Sequence, residues 1–131
     1  MTDLDPESAA QSLENQSYQD AIEYMFAQLL EVLVMLQDNK IMHRDLKPDN
    51  LMITKDAQLK LIDFGYVKVS DHAKTMVGTP GFLAPEMHLG TFKDRLYNNK
   101  VDIWAAGALF YQMLYGYCPF LVNSCAASAS S

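Results

Sequence analysis

At 131 residues, half of them hydrophobic, the chain has the length of one domain and enough apolar material to bury a core, which excludes a disordered tail. Sixteen acidic residues against ten Lys and Arg give a net charge of −6, which argues against a sequence-independent grip on nucleic-acid phosphates. Two cysteines, Cys118 and Cys125, are too few and too oddly spaced for a disulfide framework or a zinc site and read as free thiols in a reducing compartment.

The opening MTDLDPESAAQSLENQ has neither a basic n-region nor an apolar h-region, so no ordinary secretory signal is expected and a cytoplasmic or nuclear location follows by default. Asp5 before Pro6 makes an N-cap and first-turn pair and predicts a short helix over Glu7 to Leu13. Ser17 and Asp20 form a capping-box-like pair ahead of Ile22, Met25, Phe26, Leu29, Leu30, Leu33 and Leu36. Those apolar residues recur at the three-and-four spacing of one helix face and predict a helix from Tyr18 to about Gln37, broken by Asp38, Asn39 and Lys40. The runs Leu51 to Thr54 and Gln58 to Ile62, bridged by Lys55, Asp56 and Ala57, read as a small hairpin. Residues 65 to 100, punctuated by Gly65, Gly78, Pro80, Gly81, Pro85 and Gly90, suit a long ordered loop, the kind that usually carries function. Lys100 to about Tyr115 is helical by length and composition, and Ser124 to Ser131 is a small-residue tail. Residues 103 to 122 are uncharged and long enough for a membrane span, but Gly116 and Pro119 end the helix too early for one, so a buried helix is expected.

Between the first long helix and the hairpin, IMHRDLKPDNLMI gathers His43, Arg44, Asp45, Lys47, Asp49 and Asn50 between two apolar runs. Alone, such a cluster is a turn with solvated charges. It is followed by Asp63-Phe64-Gly65 at the end of the second hairpin strand, by Gly78-Thr79-Pro80, and by Ala84-Pro85-Glu86. In this order and spacing the motifs resemble the catalytic core of the eukaryotic protein kinases. Lys47-Pro48 together with Gly78-Thr79-Pro80 looks like the serine/threonine branch, and VDIWAAGALFYQMLYGYCPF resembles that family's central αF helix, entered through Asp102 and Trp104.

The resemblance implies a mainly α fold with a small β-hairpin, an incomplete kinase-like C-lobe. Residues 1–16 would be a polar segment with an αD-like helix, 17–122 a partial kinase domain from αE to αF, and 123–131 a tail. It implies ATP- and Mg²⁺-dependent transfer of a phosphoryl group to Ser or Thr of a protein substrate, with neither nucleic acid nor membrane as partner. By the match, Asp45 orients the substrate hydroxyl, Lys47 sits at the transferred phosphate, and Asn50 and Asp63 hold Mg²⁺. Met52 would lie beneath the adenine ring, with a plain core role as the equal alternative. His43 and Phe64 would be packing residues, Thr79 would contact Asp45, and Arg44 would read phosphorylation of Thr75 by an upstream kinase.

The first of six glycines is Gly65 and the first basic residue is Lys40, so the family's glycine-rich loop and strand lysine have no place before the catalytic loop. Glu86 would normally pair with a late arginine, but Arg44 and Arg95 are the only arginines. The expected consequences are an apolar face of αF left open and no phosphate transfer by these residues alone. A non-catalytic interaction module or decoy derived from a kinase is the alternative.

Overall fold

The computed structural model describes residues 6–88 and 96–120. One helix, α1 (Pro6–Asp38), runs through the whole of the first third. The two helices expected over Glu7 to Leu13 and from Tyr18 are therefore one. No Gly or Pro interrupts the chain between them, and the polar stretch carries its own i,i+4 bonds, from Gln11 to Asn15 at 3.3 Å and from Gln16 to Asp20 at 2.9 Å. Ser17 and Asp20 are thus interior to a helix and cap nothing. The Tyr18 hydroxyl donates to the Met113 carbonyl at 2.7 Å and fastens the middle of α1 to a distant helix.

Ile22, Leu29, Leu33 and Leu36 are buried as the spacing predicts, with Met25 and Phe26 packed at the margin. Leu30 is 41% exposed instead. At 3.6 residues per turn it falls about a quarter turn from the line of Ile22, Leu29 and Leu33. The helix ends where expected: the Asn39 amide side chain donates to the Met35 carbonyl at 2.8 Å, and Lys40 takes a left-handed φ of 57° that no helix continues through.

Two short antiparallel ladders follow. β1 (Ile41–Met42) pairs with β4 (Lys68–Val69), and β2 (Leu51–Ile53) pairs with β3 (Leu59–Leu61) in the register Leu51↔Leu61. The second is the expected hairpin; the first had no signature, because two residues carry no readable alternation. A single bridge, Ala73↔Tyr97, ties the long loop to the residues just before α2 (Lys100–Tyr115). α2 has the predicted bounds. Gly116, at φ 85°, closes it by donating to the Gln112 carbonyl at 2.7 Å.

The core sits between α1 and α2. Leu29, Leu33, Leu36, Leu46 and Leu59 pack on Ala105, Ala106 and Leu109, and Phe26 stacks on Phe110 at 4.3 Å. The alanines let the leucines approach the α2 backbone, and each leucine so buried contributes about 1.5–3 kcal/mol. A second cluster of Met42, Ala73, Ala84, Met87, Tyr97 and Val101 anchors the long loop beside the start of α2. Among the described residues nothing covers the outer face of α2: Ile103, Trp104, Tyr111 and Phe120 help line an apolar groove of about 430 Å³, with Trp104 stacked on Phe120 at 5.1 Å. No described helix is long and apolar enough to cross a membrane. The described chain is an α+β arrangement, mainly helical with small antiparallel ladders, as expected of an incomplete kinase-like lobe.

Candidate active site

Asp102, in the first turn of α2, organises the polar loop from below. Its carboxylate accepts the backbone N–H of His43 at 2.8 Å and of Arg44 at 2.9 Å, so a side chain near a helix start holds two successive amides of residues 43–44. Burial raises its pKa above the usual carboxylate value, and the two backbone bonds pull the other way. Arg44, at φ 69°, turns the chain sharply there. Asp45 is thereby presented from the end of that turn.

The Asp45 carboxylate is almost fully buried, and each of its oxygens has a partner. Oδ1 accepts the Thr79 hydroxyl at 2.7 Å, and Oδ2 lies 3.2 Å from the Asn50 amide nitrogen and 3.9 Å from the Lys47 ammonium. The Asn50 amide also donates to the Asp45 carbonyl at 2.6 Å. The Asp45 N–H donates to His43 Nδ1 at 3.2 Å, which leaves Nε2 to carry the ring proton and donate to the Ile62 carbonyl at 3.3 Å. His43 is fully buried with Phe64 edge-on at 5.2 Å, and both its nitrogens are occupied by the backbone. Its place is between the polar loop and the end of β3.

The hairpin brings the next group in. Asn50 ends a 3-10 turn, Pro48–Asn50, and its carbonyl accepts the Ile62 N–H at 2.8 Å, so the residue before β2 faces the residue after β3. Asp63 follows at φ 57°, exposed, with Oδ1 accepting the Gly65 N–H at 3.2 Å. The Asn50 amide oxygen and the second Asp63 oxygen have no partner among the described residues. Both are hard oxygen donors, the type of ligand that Mg²⁺ takes. Among the described residues no cluster of three or more His, Cys, Asp or Glu could hold a metal unaided.

Met52 stands opposite Lys60 on the hairpin and is 56% exposed, so the core role that competed for it does not hold in the described chain. Glu86 lies half-buried in the 3-10 turn Pro85–Met87 without an ion pair among the described residues; Arg95 is outside them. Thr75 is exposed, and its carbonyl accepts the Tyr97 hydroxyl. Arg44 extends towards that point: Nε donates to the Tyr66 carbonyl at 2.7 Å and Nη1 to the Tyr97 hydroxyl at 2.9 Å.

Two residues of this arrangement had no assigned role in the sequence. Gly78, at φ 112°, passes so close to the polar loop that a Cβ would stand 2.7 Å from the Arg44 carbonyl oxygen, and this approach sets Thr79 on Asp45. Its glycine identity was the visible signal. Tyr97 gave none, since a lone aromatic ahead of a helix is ordinary core.

A family model described as protein kinase domain matches residues 5–130. The chain is 43% identical over 95 residues to the cAMP-dependent protein kinase catalytic subunit 3 of Drosophila melanogaster, covering 72% of this chain and 16% of that protein. It is 43% identical over 99 residues to calcium/calmodulin-dependent protein kinase type IV of Homo sapiens, covering 71% and 20%. With the serine/threonine-protein kinase cds1 of Schizosaccharomyces pombe it shares 42% over 106 residues, covering 76% and 23%. The chain thus spans less than a quarter of the length of these curated relatives.

Proposed function

This chain belongs to the protein kinase family, and we propose that it carries the reaction loop of a serine/threonine kinase, transferring the γ-phosphoryl group of ATP to a Ser or Thr hydroxyl of a protein. The observation that carries this reading is the buried Asp45 carboxylate held from two sides, by Thr79 at 2.7 Å and by Asn50 at 3.2 Å. A carboxylate fixed in this way orients an incoming hydroxyl and accepts its proton without reorganising. Lys47, beside it, balances charge on the phosphoryl oxygens, and Asn50 with Asp63 supplies oxygen ligands. Mg·ATP, when bound, supplies the phosphoryl group and a cation that spreads its charge.

Met52, exposed on the hairpin, offers an apolar surface for the adenine ring. Thr75 is the site for an upstream kinase, supported by its exposure and by the tyrosine bridge from its carbonyl to Arg44. Use of ATP goes with an intracellular home, cytoplasmic or nuclear. Within residues 1–131 the first glycine is Gly65 and the first basic residue is Lys40, so neither the family's glycine-rich loop nor its strand lysine lies ahead of the polar loop in these residues, which alone are expected to transfer no phosphate. The open groove at Trp104 and Phe120 favours the second reading, a non-catalytic module that binds proteins.

Grafting residues 17–120 into the matching segment of the human type IV relative tests the chemistry. The chimera is expected to phosphorylate a Ser/Thr peptide with Mg·ATP and to lose this in Asp63→Asn. A folded chimera that binds ATP and transfers nothing would leave the binding module as the better reading.

A further inference from the structure

Arg44 is held at both ends, yet among the described residues no carboxylate forms an ion pair with its guanidinium. Its backbone N–H is fixed by Asp102, its Nε by the Tyr66 carbonyl and its Nη1 by the Tyr97 hydroxyl. Among the described residues no ion pair reaches it, and this half-buried cation is hydrogen-bonded at its guanidinium only by neutral acceptors, with the Asp102 charge attracting it without direct pairing. Such a group gains from an anion that arrives with its own oxygens.

Tyr97 decides where that anion can sit. It is buried in the cluster with Met42, Ala73 and Val101, and its backbone exchanges both hydrogen bonds with Ala73 at 2.9 Å, so the ring has little freedom. Its hydroxyl accepts from Arg44 and donates to the Thr75 carbonyl. One oxygen atom therefore joins the guanidinium to the main chain of an exposed threonine whose own hydroxyl makes no described bond.

We propose that Tyr97 is a positioning residue that holds Arg44 against position 75, so that a phosphoryl group placed on Thr75 meets a guanidinium already in place. The inference rests on the reading of Thr75 as the target of an upstream kinase. In that step the Thr75 hydroxyl oxygen bonds to the γ-phosphorus of ATP, the bond to ADP breaks, and the hydroxyl proton passes to the upstream kinase's base. Tyr97 takes no part in the transfer. It acts afterwards, by keeping the guanidinium within reach of the product.

The test uses the 131-residue chain made with phosphothreonine at position 75, titrated by ³¹P NMR. A peptide of residues 71–80 carrying the same phosphothreonine is the reference and cancels the effect of the adjacent Lys74. Phosphothreonine loses its second proton near pH 6, and a guanidinium within a few ångströms lowers the midpoint by about one pH unit. We expect Arg44→Gln to return the midpoint to that of the peptide and Tyr97→Phe, which keeps the buried ring, to return it part of the way with the thermal transition retained. The Tyr97 ¹³Cζ signal in the unsubstituted chain is expected to move with the phosphate titration, a measurement that needs no variant to fold. A midpoint that shifts in Arg44→Gln but not in Tyr97→Phe, with a stationary ¹³Cζ signal, would overturn the role of Tyr97 and leave the Arg44–Thr75 reading standing. A midpoint in the unsubstituted chain equal to that of the peptide would overturn both.

Discussion

The hydroxyl of Thr79 donates to Oδ1 of Asp45 at 2.7 Å, joining the long loop to the polar loop across 34 residues. Thr79→Val keeps the shape and removes the donor, leaving a buried carboxylate oxygen without a partner. We expect a loss of about 1–3 kcal/mol in unfolding free energy by urea denaturation, largely restored in Thr79→Ser. Equal stability of all three would show that the bond contributes nothing net.

Gly78→Ala places a methyl group 2.7 Å from the Arg44 carbonyl oxygen at a backbone φ of 112°. Both the clash and the conformation oppose it. The substitution is expected to cost about 1–3 kcal/mol and to release Thr79 from Asp45, seen as faster exchange of the Thr79 hydroxyl proton in the variant.

Asp102 has a folded-state pKa raised above its unfolded value by burial. The folded chain therefore binds more protons than the unfolded chain between those two values, and the contribution of this group to stability grows as pH falls through that window. The difference in unfolding free energy between the unsubstituted chain and Asp102→Asn is expected to widen as pH is lowered from neutrality towards 3.8. A difference that narrows on acidification would mean that the two backbone bonds outweigh burial.

Gln28 pins the hairpin to α1 with both ends of its amide: Nε2 donates to the Ala57 carbonyl at 3.0 Å and Oε1 accepts the Leu59 N–H at 2.9 Å. Gln28→Leu is expected to speed hydrogen exchange at the Leu59 amide by about 5- to 10-fold, the equivalent of one lost bond of roughly 1 kcal/mol. Unchanged exchange there would assign the hairpin's position to Leu51 and Leu61 packing alone.

The polar loop was legible because its residue types and spacing match a family motif whose chemistry prescribes both. The hairpin and α2 were legible because each is bounded by polar or glycine residues that stop it, as Gly116 does. The continuity of α1 was not, since Ser17 and Asp20 have the local form of a cap whether or not the chain turns there. The β1–β4 ladder and the Tyr97 bridge were invisible for a different reason: both are made by residues far apart in sequence and too few to show a period. The polar loop carries the candidate chemistry, while the contacts that hold it are mostly of this second kind.

Asp45 is the group proposed to orient the attacking hydroxyl. In the chimera carrying residues 17–120, single-turnover transfer from Mg·ATP to a Ser/Thr peptide is expected to slow by about 100- to 10,000-fold in Asp45→Asn with ATP binding unchanged. A variant that transfers phosphate at the full rate would contradict the assignment.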